Sequence, residues 1–128
     1  MGKQTKKKKK IARVVAKGII TIHSSFNNTI INIADENGNI LAWASAGSAG
    51  FKGTKRSTPY AAQVTMKKAL ENASIYNLKE ARVRVAGVGA GRESAVRAIG
   101  GSGIKVTNIK DITPMPHNGC RAKKTRRV

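Results

Sequence analysis

The sequence predicts an α/β protein in which helices pack on a mixed five-stranded sheet. Three β-branched segments come first, separated by short turns that contain Asn or Gly, and a helical pattern precedes each of the last two strands. Strands joined by short turns pair as an antiparallel meander, whereas strands joined through a helix favour a parallel, right-handed crossover. One sheet with both kinds of pairing follows from this order.

The first three strands are predicted where β-branched residues alternate, at residues 19–25, 29–34 and 40–45. A tight hairpin turn between the first two is expected to use Asn27 and Asn28, because asparagine tolerates positive φ. A second hairpin turn is predicted at residues 35–38, which end in Asn-Gly. In the third strand Leu41 and Trp43 share a face, and Trp43 is predicted to be core and not a platform for stacking bases. His23 is predicted to be a structural histidine with satisfied hydrogen bonds.

A Gly-rich basic loop and a long helix follow the third strand. Residues 46–57 break the strand pattern and are predicted to form a flexible basic loop. Thr58 and Pro59 form a helix start, with threonine as the N-cap and proline at the first helical position. An apolar stripe at helical spacing identifies the core-facing side, which comprises Ala62, Met66, Ala69, Leu70, Ala73 and Tyr76.

The rest of the predicted sheet consists of two strands and a short helix. In residues 80–86 two arginines alternate with valines, which is typical of a half-exposed strand. Glycines turn the chain at residues 87–91. A short helix is predicted over residues 92–99 and a last strand over residues 104–112.

Positive charge is concentrated at the two ends of the chain. The formal net charge is +19, from 25 Lys and Arg against 6 Asp and Glu. Residues 1–17 contain eight of the basic residues and residues 114–128 contain five, and neither segment has an acid. We therefore predict a basic N-terminal extension (1–17), a globular α/β RNA-binding domain (18–113) and a basic C-terminal tail (114–128). The two tails have too little apolar surface to fold alone, so they are predicted to be disordered or ordered by RNA.

The charge predicts a polyanionic partner, and nucleic acid is the first candidate. A membrane surface is a weaker one, because no apolar run approaches the roughly 20 residues that span a bilayer. The Lys-rich N-terminus is not a secretory signal, so we expect a cytoplasmic protein or one from the equivalent compartment of an organelle. An aromatic content of 4% argues against a module that reads RNA mainly by stacking. A DNA-packaging protein is the main rival, but the mixed face of the long helix is unlike that of a DNA-reading helix.

Catalytic and metal sites are not indicated. Cys120 is the only cysteine, which excludes an intrachain disulfide, and it is expected to be a small residue packed against RNA or protein. His117 lies three residues before it, but a metal site would need two further ligands, and His23 is the only other histidine. The six acids are scattered, so we expect no enzymatic activity, no cofactor and no small-molecule substrate.

Two glycine-containing segments suit phosphate binding. Loop 50–58 gathers Lys52, Lys55 and Arg56 with hydroxyl groups, and its glycines allow close backbone approach. The turn at residues 87–91 lacks the G-x-G-x-x-G spacing of a dinucleotide loop. It is predicted to be a tight turn that needs positive φ, or to present N–H groups beside Arg92 to a phosphate at a helix N-terminus. These two interpretations are compatible.

Residues 114–121 are predicted to form a shaped RNA hook. Two prolines stiffen the chain as it leaves the last strand. Asn118 and Gly119 both accept positive φ, so a sharp turn is expected there. His117 and the Asn118 amide can hydrogen-bond base edges or 2′-hydroxyl groups, and Arg121 offers a fork for phosphate.

Four motifs in order resemble the family of the small-subunit ribosomal protein numbered eleven, bacterial type. They are IHSSFNNTI from Ile22, GFKGTKRSTPYAAQ from Gly50, GRESA from Gly91 and ITPMPHNGCR from Ile112. The resemblance runs from about Val15 to the C-terminus. The family usually has proline at three positions occupied here by Val88, Ala90 and Ala122, so the local backbone is less rigid. The lysine run at residues 6–10 lies outside the resemblance, and its RNA-binding role depends on charge alone.

The resemblance implies a ribonuclease H-like mixed sheet without ribonuclease chemistry, in a structural constituent of the small ribosomal subunit. It implies binding to small-subunit ribosomal RNA on the platform, near the messenger RNA exit, in support of assembly and translation. Small-subunit proteins seven, eighteen and twenty-one would be its neighbours. The predicted RNA contacts are Asn27, Asn28, Lys52, Lys55, Arg56, Arg92, His117, Asn118 and Arg121, together with the tail cations Lys123, Lys124, Arg126 and Arg127.

Overall fold

The computed structural model describes residues 14–127, which form one five-stranded sheet and two α-helices. In chain order the elements are β1 (Lys17–Ser24), β2 (Thr29–Asp35), β3 (Ile40–Ser45), α1 (Pro59–Ala73), β4 (Glu80–Ala86), α2 (Arg92–Gly100) and β5 (Lys105–Asp111). Two short 3-10 segments, Gly53–Ser57 and Ser74–Tyr76, flank α1. Most of the predicted N-terminal extension lies outside the described residues, and the division into two tails and a domain stays a prediction.

The predicted mixed sheet is confirmed, and its strand order is β3-β2-β1-β4-β5. β2 pairs antiparallel with both β1 and β3, since short turns join these strands. β4 pairs parallel with both β1 and β5, since α1 and α2 carry the chain back along the sheet.

The hydrophobic core lies between one face of the sheet and the two helices. Ile20, Ile22, Ile31 and Ile33 are completely buried there. Burying such a side chain contributes about 1.5–3 kcal/mol, and Ile22→Ala is expected to cost about 2–5 kcal/mol. Within residues 14–127 no helix covers the opposite face, where most side chains are exposed or half-buried and only Ile19 and Ala86 are buried.

The long helix begins as predicted but ends earlier. The Thr58 hydroxyl accepts a hydrogen bond from the Ala61 N–H (3.2 Å), and proline occupies the first helical position. The apolar stripe is buried as far as Ala73, where the α-helix ends. Tyr76, which was predicted to extend the stripe, is half-buried in a 3-10 turn that Asn77 closes with φ 52°.

The first hairpin turn differs from its prediction, because neither Asn27 nor Asn28 has a positive φ. The Ser25 hydroxyl accepts hydrogen bonds from the N–H groups of both asparagines (3.3 and 3.1 Å). The Ser25 N–H donates to the Asn28 carbonyl (2.9 Å). A serine side chain therefore closes this turn without left-handed backbone. The second turn follows the Asn-Gly signal, with Gly38 at φ 92°.

The prediction that Trp43 is core is wrong. Ala42 and Ala44 face the core, paired with isoleucines of β2, whereas Trp43 is 58% exposed. Both sets of alternate residues in β3 are apolar, so alternation alone does not tell which set faces inward. α1 packs on this strand, where small side chains permit close approach. The prediction for His23 is also wrong, because this side chain is exposed and has no partner within residues 14–127.

The bounds of β1 and β5 differ slightly from those predicted. β1 begins at Lys17, two residues before its predicted start. Ahead of it, the Ala16 carbonyl accepts hydrogen bonds from the N–H groups of Lys79 and Glu80 (3.0 and 2.9 Å), which continue the contact with β4. β5 lies within its predicted range, but α2 covers it only in part, and its Ile109 is 56% exposed.

Candidate nucleic-acid interface

One end of the sheet gathers the loops that carry the predicted RNA contacts. β1, β3, β4 and β5 end there, and β2, α1 and α2 begin there. We call this the loop end, which comprises residues 25–28, 46–58, 87–92 and 112–121. The opposite, turn end comprises residues 36–39, 74–79 and 101–104. The strand directions thus bring together segments that are far apart in the sequence.

Hydrogen bonds hold the loop-end segments against one another. The Ala46 N–H donates to the first carbonyl of β2 (3.0 Å), and the Gly89 N–H donates to the last carbonyl of β1 (2.9 Å). The Gly87 N–H donates to the Thr113 hydroxyl (3.2 Å). Three loops and the start of the C-terminal segment therefore form one connected surface.

The electrostatics of the two ends differ. The loops that connect elements at the loop end contain three basic residues and no acid, namely Lys52, Lys55 and Arg56, and Arg92 follows at the first position of α2. The N-termini of α1 and α2 add the partial positive charge of a helix macrodipole. The connections at the turn end contain one acid and one base, Glu36 and Lys79. An anion is therefore attracted to the loop end.

The basic loop, predicted to be flexible from its glycines, contains regular local structure, and its flexibility stays a prediction. It contains a 3-10 turn, and the Lys68 ammonium on α1 donates a hydrogen bond to its Ser48 carbonyl (2.7 Å). Lys52 and Lys55 are exposed. Arg56 is half-buried, and its Nε has no hydrogen-bond partner within residues 14–127. The loop therefore presents its three cations on a folded support.

The glycine turn is a tight structural turn, as the first of its two interpretations predicted. Gly87 has φ 100°, and a Cβ there would collide with the Ser24 carbonyl. A Cβ at Gly89 would collide with the Ser25 carbonyl. The N–H groups of Gly87 and Gly89 already donate within the protein, so these two groups are not available to a phosphate. The second interpretation, a phosphate bound by other N–H groups at the N-terminus of α2 beside Arg92, stays a prediction.

Arg92 is bonded inside the loop end. Its Nη1 donates to the Gly87 carbonyl (2.8 Å) and its Nη2 to the Asp111 carboxylate (2.6 Å). Hydrogen bonds from the Thr113 hydroxyl and N–H, together with Arg92, lower the pKa of the Asp111 carboxyl well below its usual value. Arg92 thus links the glycine turn to the end of β5. Its side chain keeps 32% exposure, and its RNA contact stays a prediction.

The two asparagines of the first turn differ in what they can offer RNA. Asn27 is exposed, and its amide has no partner within residues 14–127. Asn28 is half-buried, and its Oδ1 accepts a hydrogen bond from the Thr29 N–H (2.9 Å). Its NH2 group has no partner within residues 14–127 and can donate. Both residues stay predicted RNA contacts.

The C-terminal segment leaves from the loop end because β5 ends there, and residues 113–127 are all exposed. Asn118 has φ 64°, whereas Gly119 has no positive φ. The expected turn therefore depends on Asn118 alone, and asparagine tolerates this backbone better than most residues. The predicted contacts of this segment have no side-chain partner within the described residues; they are His117, Asn118, Arg121, Lys123, Lys124, Arg126 and Arg127.

Sequence reasoning missed one surface. Arg82 and Arg84 lie with Trp43 on the face of the sheet that no helix of residues 14–127 covers. The alternation of arginine and valine in β4 indicates that Arg82 and Arg84 are exposed, and it is the sequence signal for these two residues of the surface. The tryptophan was wrongly predicted to be core, because β3 is apolar on both sides.

Residues 14–127 contain neither a cluster of metal-ligating side chains nor a membrane-spanning helix. Within residues 14–127 no three His, Cys, Asp or Glu side chains lie close enough together to hold a metal ion. Cys120 is exposed there. None of the helices in this range is both long enough and apolar enough to cross a membrane.

The sequence is similar to ribosomal proteins of the small subunit. The family model for ribosomal protein S11 matches residues 18–127. The small ribosomal subunit protein uS11 of Aquifex aeolicus (strain VF5) is 58% identical over 123 residues, which cover 96% of this chain and 98% of that protein. The protein of the same name from Alcanivorax borkumensis is 56% identical over 122 residues, covering 95% and 92%. The one from Cellvibrio japonicus (strain Ueda107) is 55% identical over 127 residues, covering 99% and 97%.

Proposed function

Because this chain belongs to the ribosomal protein S11 family, we propose that its loop end binds small-subunit ribosomal RNA on the platform, near the messenger RNA exit. The chain is a structural constituent of the small ribosomal subunit and not an enzyme. From the platform it supports assembly of the subunit and translation.

The gathering of the predicted RNA contacts at the loop end carries this proposal. Lys52 and Lys55 are exposed on a folded loop that leads into the N-terminus of α1. Asp111, the acid that ends β5 at this end of the sheet, is paired with Arg92. Such a surface attracts phosphates, which supply most of the affinity between proteins and RNA.

The loop-end segments have different roles in the proposal. Lys52, Lys55 and Arg56 bind phosphates and position the protein. The Asn27 amide and His117 hydrogen-bond base edges or 2′-hydroxyl groups, which phosphate contacts do not read. The cations of the C-terminal tail add electrostatic affinity. Arg92 acts mainly as a positioning residue for the glycine turn and offers RNA only its exposed part.

The N-terminal extension adds charge to the proposed interface. Residues 1–10 contain six lysines and, apart from Met1, no large apolar residue. Removing them is expected to leave the unfolding temperature unchanged and to weaken RNA binding. A large fall in the unfolding temperature would show that the extension is structural.

The neighbouring proteins are proposed from the family resemblance. We propose contacts with small-subunit proteins seven, eighteen and twenty-one, with messenger RNA passing nearby. Chemical cross-linking of purified small subunits, read by mass spectrometry, tests this set. Cross-links that go only to other small-subunit proteins would contradict it.

Two measurements test the RNA-binding proposal. A tagged copy of the protein should sediment with small subunits in a sucrose gradient, whereas a DNA-packaging protein would sediment with DNA. The affinity for ribosomal RNA should fall steeply with salt, since each neutralised phosphate adds about −0.7 to −0.9 to the log–log slope. A slope near zero would contradict an electrostatic interface.

A further inference from the structure

No helix or loop of residues 14–127 packs on the face of the sheet opposite the two helices. This open face consists of the outward residues of all five strands, including Thr21, His23, Ile30, Asn32, Trp43, Arg82, Arg84, Asn108 and Lys110. Trp43 is 58% exposed and Ile30 is 40% exposed. The register places Trp43 and Ile30 diagonally next to each other on β3 and β2, so they form an exposed apolar patch with charged side chains on the same face. Such a patch is typical of a surface that contacts a partner.

The pairing register arranges five of these residues in one row across the sheet. Trp43 pairs with Asn32, Asn32 with Thr21, Thr21 with Arg84, and Arg84 with Lys110. Strands lie about 4.8 Å apart, so the row spans roughly 19 Å. It has an aromatic ring at one end, amide and hydroxyl groups in the middle and two cations at the other end.

The cations of the open face are not used by the fold. Arg82, Arg84 and Lys110 are exposed and have no ion pair or side-chain hydrogen bond within residues 14–127. Glu80 is the acid that β4 places on this face. It lies at the turn end of the strand, where it pairs with Lys17, four residues before Arg84 of the row. The face is therefore complementary in charge to an anion.

A cleft joins the open face to the loop end. It has a volume of about 480 Å³ and is lined on the face by His23, Ile30 and Ala86, and at the loop end by Asn28 and Pro114, among others. A chain bound at the loop end can therefore continue onto the sheet without leaving the protein surface.

We propose that the open face binds a single-stranded segment of RNA, with a base stacked on Trp43 and phosphates held by Arg82, Arg84 and Lys110. Stacking on an exposed ring beside unpaired cations is how single strands are bound without strict sequence preference. The Asn32 amide, which has no partner within residues 14–127, can hydrogen-bond a base edge. This goes beyond the proposed function, because it uses none of the loop-end residues.

Trp43 makes the inference testable, because it is the only tryptophan of the chain. Titrating the full-length protein with a short oligoadenylate should quench its fluorescence in a saturable way. In parallel, polarisation of a labelled oligoadenylate measures total binding, including binding by the tails. Trp43→Ala should lower the affinity about fivefold or more, the size expected for one stacked base, and Trp43→Phe should restore part of it. Because this side chain is exposed, circular dichroism should show an unchanged fold.

Matched charge variants separate the open face from the rest of the protein. The pair Arg84→Gln with Lys110→Gln should shift the quenching curve to several-fold higher RNA concentration. The control pair Lys67→Gln with Lys79→Gln removes the same charge from α1 and the turn end, and should shift it less. Replacing Lys52, Lys55 and Arg56 by Gln should weaken ribosomal RNA binding but leave quenching by oligoadenylate, so failure of the two proposals can be distinguished.

Three outcomes would overturn the inference. RNA could bind by polarisation without any change in Trp43 fluorescence, which would assign binding to the tails and loops. The two charge pairs could have equal effects, in which case only total charge matters. Polyglutamate could quench as well as oligoadenylate, which would indicate an acidic protein partner and not RNA.

Discussion

The glycine turn at the loop end and the glycine-containing turns at the turn end are both short connections, but their glycines serve different purposes. At the loop end Gly87 and Gly89 lie so close to the backbone after β1 that no side chain fits. At the turn end Gly38 and Gly103 also have positive φ, but a Cβ there would meet no atom within 4 Å. The glycine turn is thus closely packed, whereas at Gly50 and Gly53 of the basic loop an added Cβ would also meet no atom within 4 Å. Close packing at the loop end is therefore a property of the glycine turn and not of the basic loop.

Adding a methyl group at one glycine of each end should lower the free energy of unfolding by clearly different amounts. Gly38→Ala strains only the local backbone and should cost about 1–2 kcal/mol. Gly87→Ala adds a collision with the Ser24 carbonyl and should cost about 3 kcal/mol or more. Urea unfolding of the two variants measures the difference. Equal losses would mean that the close packing of the glycine turn contributes little to stability.

Removing positive charge from each end tests the electrostatic difference between the loop end and the turn end. Replacing Lys52, Lys55 and Arg56 by Gln should lower the affinity for ribosomal RNA about tenfold or more and flatten the salt slope by about 2. The control triplet is best taken as Lys67, Lys79 and Lys105, since Lys68 supports the basic loop through Ser48. Incorporation into small subunits and filter binding measure the effect. If both triplets lose equally, only total charge matters.

Substitutions at Asn118 test whether the C-terminal segment forms the predicted hook. This residue has φ 64°, so Asn118→Val strains the turn, whereas Asn118→Gly keeps the turn and removes only the amide. If the shape of the hook matters, Asn118→Val should enter small subunits several-fold less well than Asn118→Gly in a competition of tagged copies. Gly119→Val is a weaker test than the sequence suggested, because Gly119 has no positive φ. A disordered tail would tolerate all three changes.

The smallest expected effect concerns Asp111, the acid that fastens the glycine turn to β5. Its pKa is lowered in the folded protein, so its ionised form stabilises the fold above the unfolded pKa of about 4. That contribution is lost as the pH falls from about 4 towards the lower folded value. Thermal unfolding of wild type and Asp111→Asn should therefore differ near pH 6 and converge in acid. Because Asp111 is exposed, salt should reduce the difference. A difference independent of pH would mean that the carboxylate charge is not involved.

Several features of this protein were determined by the sequence alone. The helix start at Thr58, the Asn-Gly turn at Gly38 and the order of antiparallel and parallel pairing followed from rules that act over a few residues or over connection lengths. The charge of the termini and the four motifs also identified the nucleic-acid partner class and the family before any contact was known. These features depend on neighbours along the chain, so they can be read from it.

The tertiary structure alone decided which side of each element meets a partner. β3 has apolar residues on both sides, and only the packing of α1 selects Ala42 and Ala44 for the core and leaves Trp43 outside. Arg92 reads as a free cation in its motif, yet Asp111, nineteen residues away, binds its guanidinium. Such choices depend on contacts between distant segments, whose energies local patterns do not contain. The gathering of loops at one end of the sheet and the open face on its other side are consequences of the same long-range pairing.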